Sequence, residues 1–380
     1  MNKIKILHCG DLHFDTPFSE LPHSLAEIKK EELREIFSNI IDFGRKEKVN
    51  LIFIAGDLFD NLRVTKSTLD FIRKKFEEIK NIGVFIAAGN HDPFNKKSFY
   101  ELIEWSENVH IFSDTFEAIE IEEFGTVVYG ASFGTSYVKE SMLKNFKSEE
   151  KHKNLIKLMI LHGDVASSEG GNEYNPITID DIEKCGVDYL ALGHRHFFSG
   201  IKRAGNTYYA YSGCPEGRGF DETGDKGIIL GEIGINYANL SFISVCKRRY
   251  FIEQVDVTDC KSYEEIKERI LLSIKDNKKE ENLYKIVLKG ELTEDFIINL
   301  DVLQEKLKNY FYFFKMEDNT SLKIDFDELS REFSIKGIYA RKLLKSIKEE
   351  SNEETKKILT LALKLGIQSL SEGDVRLDEN

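Results

Sequence analysis

Five short polar clusters in this sequence combine side chains that hold metal ions and move protons. They lie at 10–13 (GDLH), 56–60 (GDLFD), 89–92 (GNHD), 161–164 (LHGD) and 193–196 (GHRH). Imidazole nitrogens mixed with carboxylate and amide oxygens suit borderline divalent metals such as Mn, Fe, Co, Ni or Zn, and suit Ca or Mg alone poorly. The candidate ligands are Asp11, His13, Asp57, Asn90, His162, His194 and His196, with His91 beside them.

The size of this ligand set predicts two ions rather than one. Seven ligands are too many for a single ion, whereas a carboxylate such as Asp57 can bridge two ions and give each about four protein ligands. A single cluster of this kind is usually a loop cap or a turn, because Asp, Asn and Gly all favour turns. Five clusters that each follow a predicted strand indicate a metal site. The glycine before nearly every cluster is expected to let the backbone turn sharply away from its strand.

Apolar runs next to these clusters predict the strands that position them, at 4–8, 51–55, 84–88, 158–161 and 189–192. Continuous runs of Ile, Leu, Val and Ala are typical of strands buried on both faces. Ser24 opens a capping-box pattern followed by apolar residues at helical spacing, and another helical stripe runs from Leu69 to Ile79. Alternating strands and helices predict a parallel sheet. Loops beyond the carboxyl ends of such strands converge on one crevice, which would bring the distant clusters together.

From Phe116 the strands become more closely spaced. Further runs occur at 118–121, 127–131, 208–212, 227–233 and 240–246, divided by Gly, Asn and Asp. This pattern predicts a second, mostly antiparallel sheet packed on the first. The expected fold class is α/β, a two-sheet sandwich with α-β-β-α layers.

The remainder of the chain predicts a smaller domain and terminal helices. Ser262 starts a capping box before a helix, 284–288 is a predicted strand, and 293–307 is another predicted helix. From Ser330 onward only helical patterns occur. The expected domains are therefore a core at 1–248, a small α+β domain at 249–328, and a helical segment at 329–380.

Composition limits the protein classes to be considered. The 380 residues are 41% hydrophobic, which is enough for packed cores and excludes wholesale disorder. A net charge of −13 argues against coating nucleic acid through charge alone. The five cysteines show no pattern of a disulfide framework. No apolar stretch reaches the ~20 residues of a membrane helix, and no signal peptide is recognised, so a soluble cytoplasmic protein without membrane association is expected.

The clusters closely resemble the calcineurin-like metallophosphoesterase superfamily, whose motifs are DxH, GDxxD, GNH(D/E), H and GHxH. The resemblance implies one ion bound by Asp11, His13, Asp57 and His196, and a second bound by Asp57, Asn90, His162 and His194. It also implies that His91 is the catalytic histidine and that Asp92 orients it. Asp60 and Asp15 are expected to support the site or to cap neighbouring elements, with ordinary surface loop acids as the alternative.

The residues around the motifs resemble those of the DNA repair exonucleases, namely the SbcD and Mre-type nuclease subunits. The resemblance is strongest to the YhaO-like branch of this family. The similar segments are 8–18, 54–60, 88–93 and 211–218, with Cys214 where that family commonly has Ser. This resemblance implies a DNA nuclease with exonuclease and perhaps endonuclease activity and two Mn²⁺ ions. It further implies a homodimer, a small domain that helps hold DNA, and an ATPase partner of the SbcC or Rad50 type.

Several alternatives stay open at the level of sequence. The core motifs also allow a phosphodiesterase or phosphatase acting on small esters, and a catalytically inactive scaffold is a third class. The terminal helices could dock the ATPase or simply pack on their own domain. The basic residues at 247–249 could meet phosphates or form a solvated face beside acidic neighbours. No P-loop motif occurs, so ATP hydrolysis by that route is not expected of this chain.

Overall fold

The structure is a computed structural model that describes residues 2–60, 64–166, 173–274, 278–293, 296, 298–323 and 326–372. The chain divides into two compact units. The first unit comprises Met1–Ile252, Lys278–Lys285 and Phe311–Phe313, and the second comprises Glu253–Asn277, Ile286–Tyr310 and Phe314–Asn380. The domain boundaries expected at 248 and 328 stay predictions.

The strands of the described chain are short in the first unit and longer toward the second. They are β1 (Ile4–Cys9), β2 (Leu51–Ile54), β3 (Gly83–Ile86), β4 (Val109–Ile111), β5 (Glu117–Ile121), β6 (Thr126–Gly130), β7 (Ile156–His162), β8 (Asp164–Ala166), β9 (Pro176–Thr178), β10 (Tyr189–Gly193), β11 (Lys202–Ala204), β12 (Thr207–Tyr211), β13 (Gly227–Gly234), β14 (Tyr237–Ser244), β15 (Tyr250–Asp256), β16 (Leu283–Leu292) and β17 (Phe313–Leu322).

The α-helices lie between and after these strands. They are α1 (His23–Lys46), α2 (Lys66–Glu77), α3 (Phe99–Leu102), α4 (Ile179–Lys184), α5 (Tyr263–Ser273), α6 (Leu300–Leu307), α7 (Phe326–Leu329), α8 (Ile335–Glu349) and α9 (Glu353–Glu372). Single 3₁₀ turns occur at Glu122–Phe124 and Glu150–His152. Among the described helices, none is long and apolar enough to cross a membrane.

The first sheet has the strand order β14-β13-β1-β2-β3-β4. Strands β1 to β4 are parallel to one another, as the alternation of apolar runs and helices predicts. Strand β13 pairs antiparallel with β1 and with β14. Because β1 and β2 lie side by side, the polar clusters that follow them leave the sheet at the same edge.

The second sheet has the order β11-β12-β10-β7-β6-β5 and corrects two expectations. Its four central strands β12, β10, β7 and β6 are parallel, and only the edge strands β11 and β5 are antiparallel, so the expected mostly antiparallel sheet is wrong. Strands β13 and β14, expected in this sheet, belong to the first, and β7 and β10, expected in the first, belong to this one. A buried apolar run indicates a strand, but it does not specify which strand lies beside it.

Two sheets with helices on their outer faces form the predicted α-β-β-α sandwich. Ile6 and Phe53 of the first sheet pack with Leu158 and Tyr189 of the second, and all four side chains are completely buried. On the outer face of the first sheet, helices α1 and α2 cover a second apolar layer. Helix α4 lies against the outer face of the second sheet, where Ile182 is fully buried. The fold class expected from sequence is confirmed.

The helices over the first sheet confirm the predicted apolar stripe of α1 but not its predicted cap. The apolar stripe of α1 is buried as expected, but the helix begins at His23 after Pro22, with no side-chain capping bond, so the capping box opened by Ser24 is wrong. A proline at this position supplies a suitable φ, and burial of the apolar stripe stabilises the helix without a cap. In α2, the Thr65 hydroxyl accepts a hydrogen bond from the Thr68 amide.

The second unit is an α+β arrangement followed by helices, as expected. Strands β15, β16 and β17 form a three-stranded sheet. Ser262 caps α5 as predicted, but the predicted capping box is incomplete, because the Glu265 carboxylate accepts from the Lys261 amide. Helix α6 begins only at Leu300, capped by Asn299, rather than at 293; residues 294, 295 and 297 lie outside the described chain. Helices α8 and α9 pack through Ala340, Leu363 and Ile367.

Candidate metal centre

Backbone hydrogen bonds hold the loops after β1 and β2 together at the edge of the first sheet. The Asp11 amide donates to the Gly56 carbonyl at 3.0 Å, and the His13 amide donates to the Asp57 carbonyl at 2.9 Å. The loop after β3 joins them, because the His91 amide donates to Oδ1 of Asp57 at 2.9 Å. Convergence at the carboxyl ends of parallel strands therefore positions three of the five clusters within one sheet.

The second sheet brings the remaining clusters to the same place. His162 is the last residue of β7, and its Nδ1 lies 3.0 Å from the carbonyl oxygen of Ala55 at the end of β2. The amide of His194, directly after β10, donates to both carboxylate oxygens of Asp11 at 2.9 and 3.1 Å. The ends of β1, β2, β7 and β10 thus meet across the two sheets.

Several of these residues have backbone conformations that non-glycine residues rarely adopt. The φ angles are +52° at Asp11, +48° at His13, +49° at Asp57 and +106° at His194. Each such residue costs of order 1–3 kcal/mol unless the surrounding structure enforces it, and such residues cluster at functional sites. Four of them in one crevice favour a functional site there.

Gly193, before His194, is required for close approach rather than for a sharp turn. An added Cβ at this position would lie 1.6 Å from the carbonyl oxygen of Ala55. Gly56 has both features, since its φ is +83° and a Cβ would lie 2.3 Å from Nδ1 of His162. Of these two cluster glycines, Gly56 has the left-handed φ that a sharp turn favours, whereas Gly193 is needed because the two sheets come into contact there.

One group of ligands surrounds His13 and His196. Their Nε2 atoms face each other at 3.3 Å. Two nitrogens bound at about 2.0–2.1 Å to one tetrahedral ion lie roughly 3.3 Å apart, so the spacing fits a shared ion. An oxygen of Asp11 lies within 4.8 Å of a ring nitrogen of each histidine. Burial lowers the pKa of His13, which favours the neutral imidazole that metals require.

A second group surrounds Asn90. Its Oδ1 lies 2.9 Å from Nε2 of His162 and 3.3 Å from Nδ1 of His194. Burial, followed by the neighbouring His162, lowers the pKa of His194 to about 4. At neutral pH this imidazole is therefore uncharged and able to bind a metal.

Asp57 lies between the two groups. Its Oδ2 is 3.7 Å from Nε2 of His13 and 3.4 Å from Nε2 of His162. Burial alone would raise the pKa of Asp57, but the interactions with His162, His13 and His91 outweigh it and lower the pKa to about 2. An ionised carboxylate that faces both groups is suited to the shared ligand position expected from sequence.

The ring of His91 lies next to the first group without the expected contact to Asp92. Its centroid is 4.8 Å from that of His13, and its Nδ1 is 2.7 Å from the Asp60 carbonyl oxygen. Asp92 instead accepts hydrogen bonds from the Gly89 and Phe59 amides and from the Tyr100 hydroxyl. The two Asp92 oxygens thus hold the backbone of neighbouring loops and make no described hydrogen bond to the His91 ring, so the orienting role of Asp92 stays a prediction.

The direction of its pKa shift distinguishes Asp92 from Asp57, although both carboxylates are buried. Burial, and then the charge of Asp57, raises the pKa of Asp92 to about 6. Burial likewise raises the pKa of Tyr100. Asp92 is a support for the loops that carry Asn90 and His91, not a contact of the His91 ring.

The two further acids have different surroundings. Oδ1 of Asp60 lies 3.2 Å from Nδ1 of His13, so Asp60 lies against the site. Asp15 accepts hydrogen bonds from the Thr65 amide and the Thr68 hydroxyl, both at 2.7 Å. Asp15 thus holds the start of α2, which fits the capping role expected of it rather than that of an ordinary loop acid.

Sequence reasoning missed Glu222 and Arg218. Oε1 of Glu222 lies 2.6 Å from Nδ1 of His196, and Arg218 donates to the same oxygen at 2.7 Å. Burial alone would lower the pKa of His196, but the hydrogen bond to Glu222 and the charge of Asp11 outweigh it, so the pKa is raised. Arg218 lies in the segment 211–218 that resembles the exonucleases, which was the available signal; nothing local marked Glu222.

The basic residues at 247–249 are engaged within the first unit. Lys247 pairs with Glu35 at 2.6 Å, and Arg249 pairs with Asp225 at 2.6 Å. Arg248 pairs with Glu32 at 2.8 Å, and its guanidinium lies 3.5 Å from the centre of the Tyr312 ring. These contacts favour the reading of residues 247–249 as a face paired with acidic neighbours.

The fold and the ligand groups define a metallophosphoesterase. The sequence model of the family described as Calcineurin-like phosphoesterase matches residues 4–198, and the chain belongs to this family. That range contains all seven candidate ligands and ends shortly after His196.

Three relatives extend the similarity beyond this domain. The Bacillus subtilis (strain 168) protein described as an uncharacterized metallophosphoesterase, YhaO, is 32% identical over 270 residues, 69% of this chain and 65% of its own length, slightly less than two thirds of it. The DNA double-strand break repair protein Mre11 of Sulfurisphaera tokodaii is 26% identical over 343 residues, 86% of this chain and 84% of its own. A subunit of the nuclease SbcCD of Staphylococcus epidermidis is 24% identical over 303 residues, 72% of this chain and 77% of its own.

Proposed function

We propose that this chain is a DNA nuclease subunit that hydrolyses phosphodiester bonds with two divalent ions, foremost Mn²⁺. The observation that carries the proposal is the meeting of two ligand groups on either side of Asp57, with the Nε2 atoms of His13 and His196 3.3 Å apart. In this reading Asp11, His13, Asp57 and His196 would hold one ion. Asp57, Asn90, His162 and His194 would hold the other.

The ions, when bound, supply Lewis acidity that activates water and neutralises charge on the phosphate. The chain supplies positioning and proton transfer. The Asp60 carbonyl accepts from Nδ1 of His91 at 2.7 Å, which fixes the ring and leaves Nε2 as the atom that donates a proton to the departing oxygen. General acid catalysis of this kind contributes about 10²- to 10⁴-fold.

The length of the similarity favours DNA over a small ester as the substrate. The family model accounts for residues 4–198, whereas the alignment with the archaeal Mre11 covers 86% of this chain. A phosphatase for small esters would need little beyond the first unit. The net charge of −13 and the internal pairing of residues 247–249 mean that the bound ions provide much of the attraction for phosphate.

The named relatives also suggest how the protein works in the cell. One is an Mre11 protein and another is a subunit of SbcCD, so we include a homodimer and an SbcC-type ATPase in the proposal. Helices α8 and α9 are the candidate docking elements. They bury one face against each other, while Ile335, Ile338, Ile358 and Leu361 are exposed. Exonuclease activity and a cytoplasmic location complete the proposal.

The test is cleavage of end-labelled single-stranded and duplex DNA by the full chain, with and without MnCl₂, with product lengths resolved. Bis-p-nitrophenyl phosphate and cyclic nucleotides are assayed in parallel, and Asp57→Asn serves as the inactive control. Manganese-dependent shortening of DNA, absent in the control, is expected. Vigorous hydrolysis of the small esters with intact DNA would reject the nuclease and support the small-ester phosphodiesterase.

A further inference from the structure

A buried carboxylate lies behind the imidazole of His196, on the side away from the other ligands. Oε1 of Glu222 is 2.6 Å from Nδ1 of His196, while Nε2 faces Nε2 of His13. The Glu222 side chain is only 5% exposed. At this distance the contact is a strong, charge-assisted hydrogen bond, because a carboxylate that is ionised can only accept.

This contact determines which ring nitrogen carries the proton. Nη2 of Arg218 also lies 2.9 Å from Nδ1 of His196, so the nitrogen has a donor and an acceptor beside it. If Nδ1 had a lone pair, that lone pair would face the Glu222 carboxylate at 2.6 Å, which is repulsive. With the proton on Nδ1, both His196 and Arg218 donate to Oε1. Nε2 then keeps its lone pair, which is the form that binds a metal.

Arg218 holds this carboxylate in place through several bonds. Its amide donates to Oε2 of Glu222 at 2.9 Å, and Nε donates to Oε1 at 3.0 Å. The same guanidinium donates from Nη1 to Oδ1 of Asp60 at 3.2 Å. Asp60 in turn lies 3.2 Å from Nδ1 of His13. One arginine thus ties together the carboxylates behind both imidazoles that face each other.

We propose that Glu222, held by Arg218, is a positioning residue that fixes the Nδ1-protonated form of His196 and so sets the divalent-ion affinity of the site formed by Asp11, His13 and His196. The proposal rests on the two-ion reading of the proposed function. It predicts an effect on one ligand group and not on the group around Asn90, which has no bond to Glu222 among the described residues. Removal of such a supporting carboxylate typically costs about 10- to 100-fold in metal affinity.

The chain offers a matched control for deleting a histidine–glutamate contact. On the second sheet, Oε1 of Glu120 lies 2.9 Å from Nε2 of the buried His152, and neither residue belongs to a ligand group. Glu120→Leu removes that contact, as Glu222→Leu removes the one at His196. A loss of Mn²⁺ affinity caused simply by deleting a histidine–glutamate contact would appear in both variants. The proposed loss of affinity appears only in Glu222→Leu.

The experiment measures Mn²⁺ binding by the full chain after removal of metal with EDTA. MnCl₂ is titrated into parent, Glu222→Leu, Glu222→Gln and Glu120→Leu, and free Mn²⁺ is quantified by its EPR signal. The parent is expected to bind two ions. Glu222→Leu is expected to lose about 10- to 100-fold in affinity at one site and to keep the other. Glu222→Gln, whose amide oxygen can still accept from Nδ1, is expected to recover part of that loss, and Glu120→Leu to match the parent.

A metal-free readout tests the proton position directly. In protein labelled with ¹⁵N at its nine histidines, a long-range ¹H–¹⁵N correlation distinguishes Nδ1-protonated from Nε2-protonated rings. At alkaline pH, where the ring is neutral, His196 is expected to be Nδ1-protonated in the parent and mixed in Glu222→Leu. A Glu222→Leu protein with both parental affinities and an unchanged His196 signal overturns the inference. If Glu222→Leu does not fold, Glu222→Gln provides the test instead. Parental Mn²⁺ affinity in Glu222→Gln together with a shifted His196 proton overturns the inference.

Failure of the proposed function gives a different result. A parent protein that binds two Mn²⁺ ions but leaves DNA intact rejects the nuclease and leaves the role of Glu222 standing. A parent that binds no Mn²⁺ rejects both.

Discussion

The buried ammonium group of Lys29 offers a sharp test of how the first unit is stabilised. Lys29 lies on α1 and is completely buried, with its Nζ paired to Glu216 and 3.6 Å from Glu32. Glu216 belongs to the same loop as Arg218 and is also buried. Replacement Lys29→Met keeps most of the side-chain volume but removes the positive charge, so the change isolates the ion pair.

The expected loss follows from which charges stay paired. Glu32 keeps Arg248 at 2.8 Å, so Glu216 is the carboxylate left without a cation. Removing one partner of a buried pair costs about 3–5 kcal/mol. Because the Lys247 amide still donates to Oε2 of Glu216 at 2.8 Å, we expect the lower end, about 3 kcal/mol. A second change, Glu216→Gln, removes the stranded charge and should restore most of the stability.

The loss should also depend on pH. Burial raises the pKa of Glu216 above its ordinary value of 4.5, and Lys29 partly opposes this rise. Without Lys29 the pKa of the folded state rises further, so the folded protein binds a proton that the unfolded chain releases. Stability of Lys29→Met relative to the parent therefore improves as pH falls through that raised pKa toward 4.5, and is lowest at neutral pH.

Urea unfolding followed by tryptophan fluorescence measures these effects. The only tryptophan, Trp105, lies in the first unit against Phe76 and Tyr100, so its signal reports this unit. Lys30→Met is the control, because exposed ion pairs such as the one it forms with Glu27 contribute little to stability. A loss in Lys29→Met no larger than in Lys30→Met, or no recovery on adding Glu216→Gln, would refute the reasoning.

Three further outcomes are expected. His91→Asn should lower kcat on DNA about 10²- to 10⁴-fold with unchanged Mn²⁺ binding by EPR; parental turnover would exclude His91 as the proton donor. Asp57→Asn should reduce Mn²⁺ binding from two ions to one or none, and retention of both would show that Asp57 is not shared between them. Gly193→Ala should destabilise by at least about 1–3 kcal/mol in urea unfolding, because its Cβ would overlap the Ala55 carbonyl. Gly44→Ala in α1 is the control, because an added Cβ there would make only ordinary van der Waals contacts and should cause no loss of stability. Equal stabilities of the two variants would contradict the overlap argument.

The sequence determined the chemistry and the local elements. Residue types in the five clusters specify a mixed nitrogen and oxygen ligand set, and the structure brings those of Asp11, His13 and His196 within 4.8 Å of one another. Apolar runs specified β1, β2, β3, β7 and β10, and helical spacing specified α1 and α2. These features are local, since a strand or helix depends mainly on the pattern within its own segment.

Only the tertiary structure decided which elements became neighbours. Strands β13 and β14 joined the first sheet, and β7 and β10 joined the second, because strand pairing depends on how both faces of each sheet are covered. The same holds at the site: His13 and His196 are 183 positions apart, and Glu222 reaches His196 from a loop with no motif of its own. Side chains that act on a ligand through such long-range contacts leave no periodic signal in the sequence, whereas the ligands that follow each strand do.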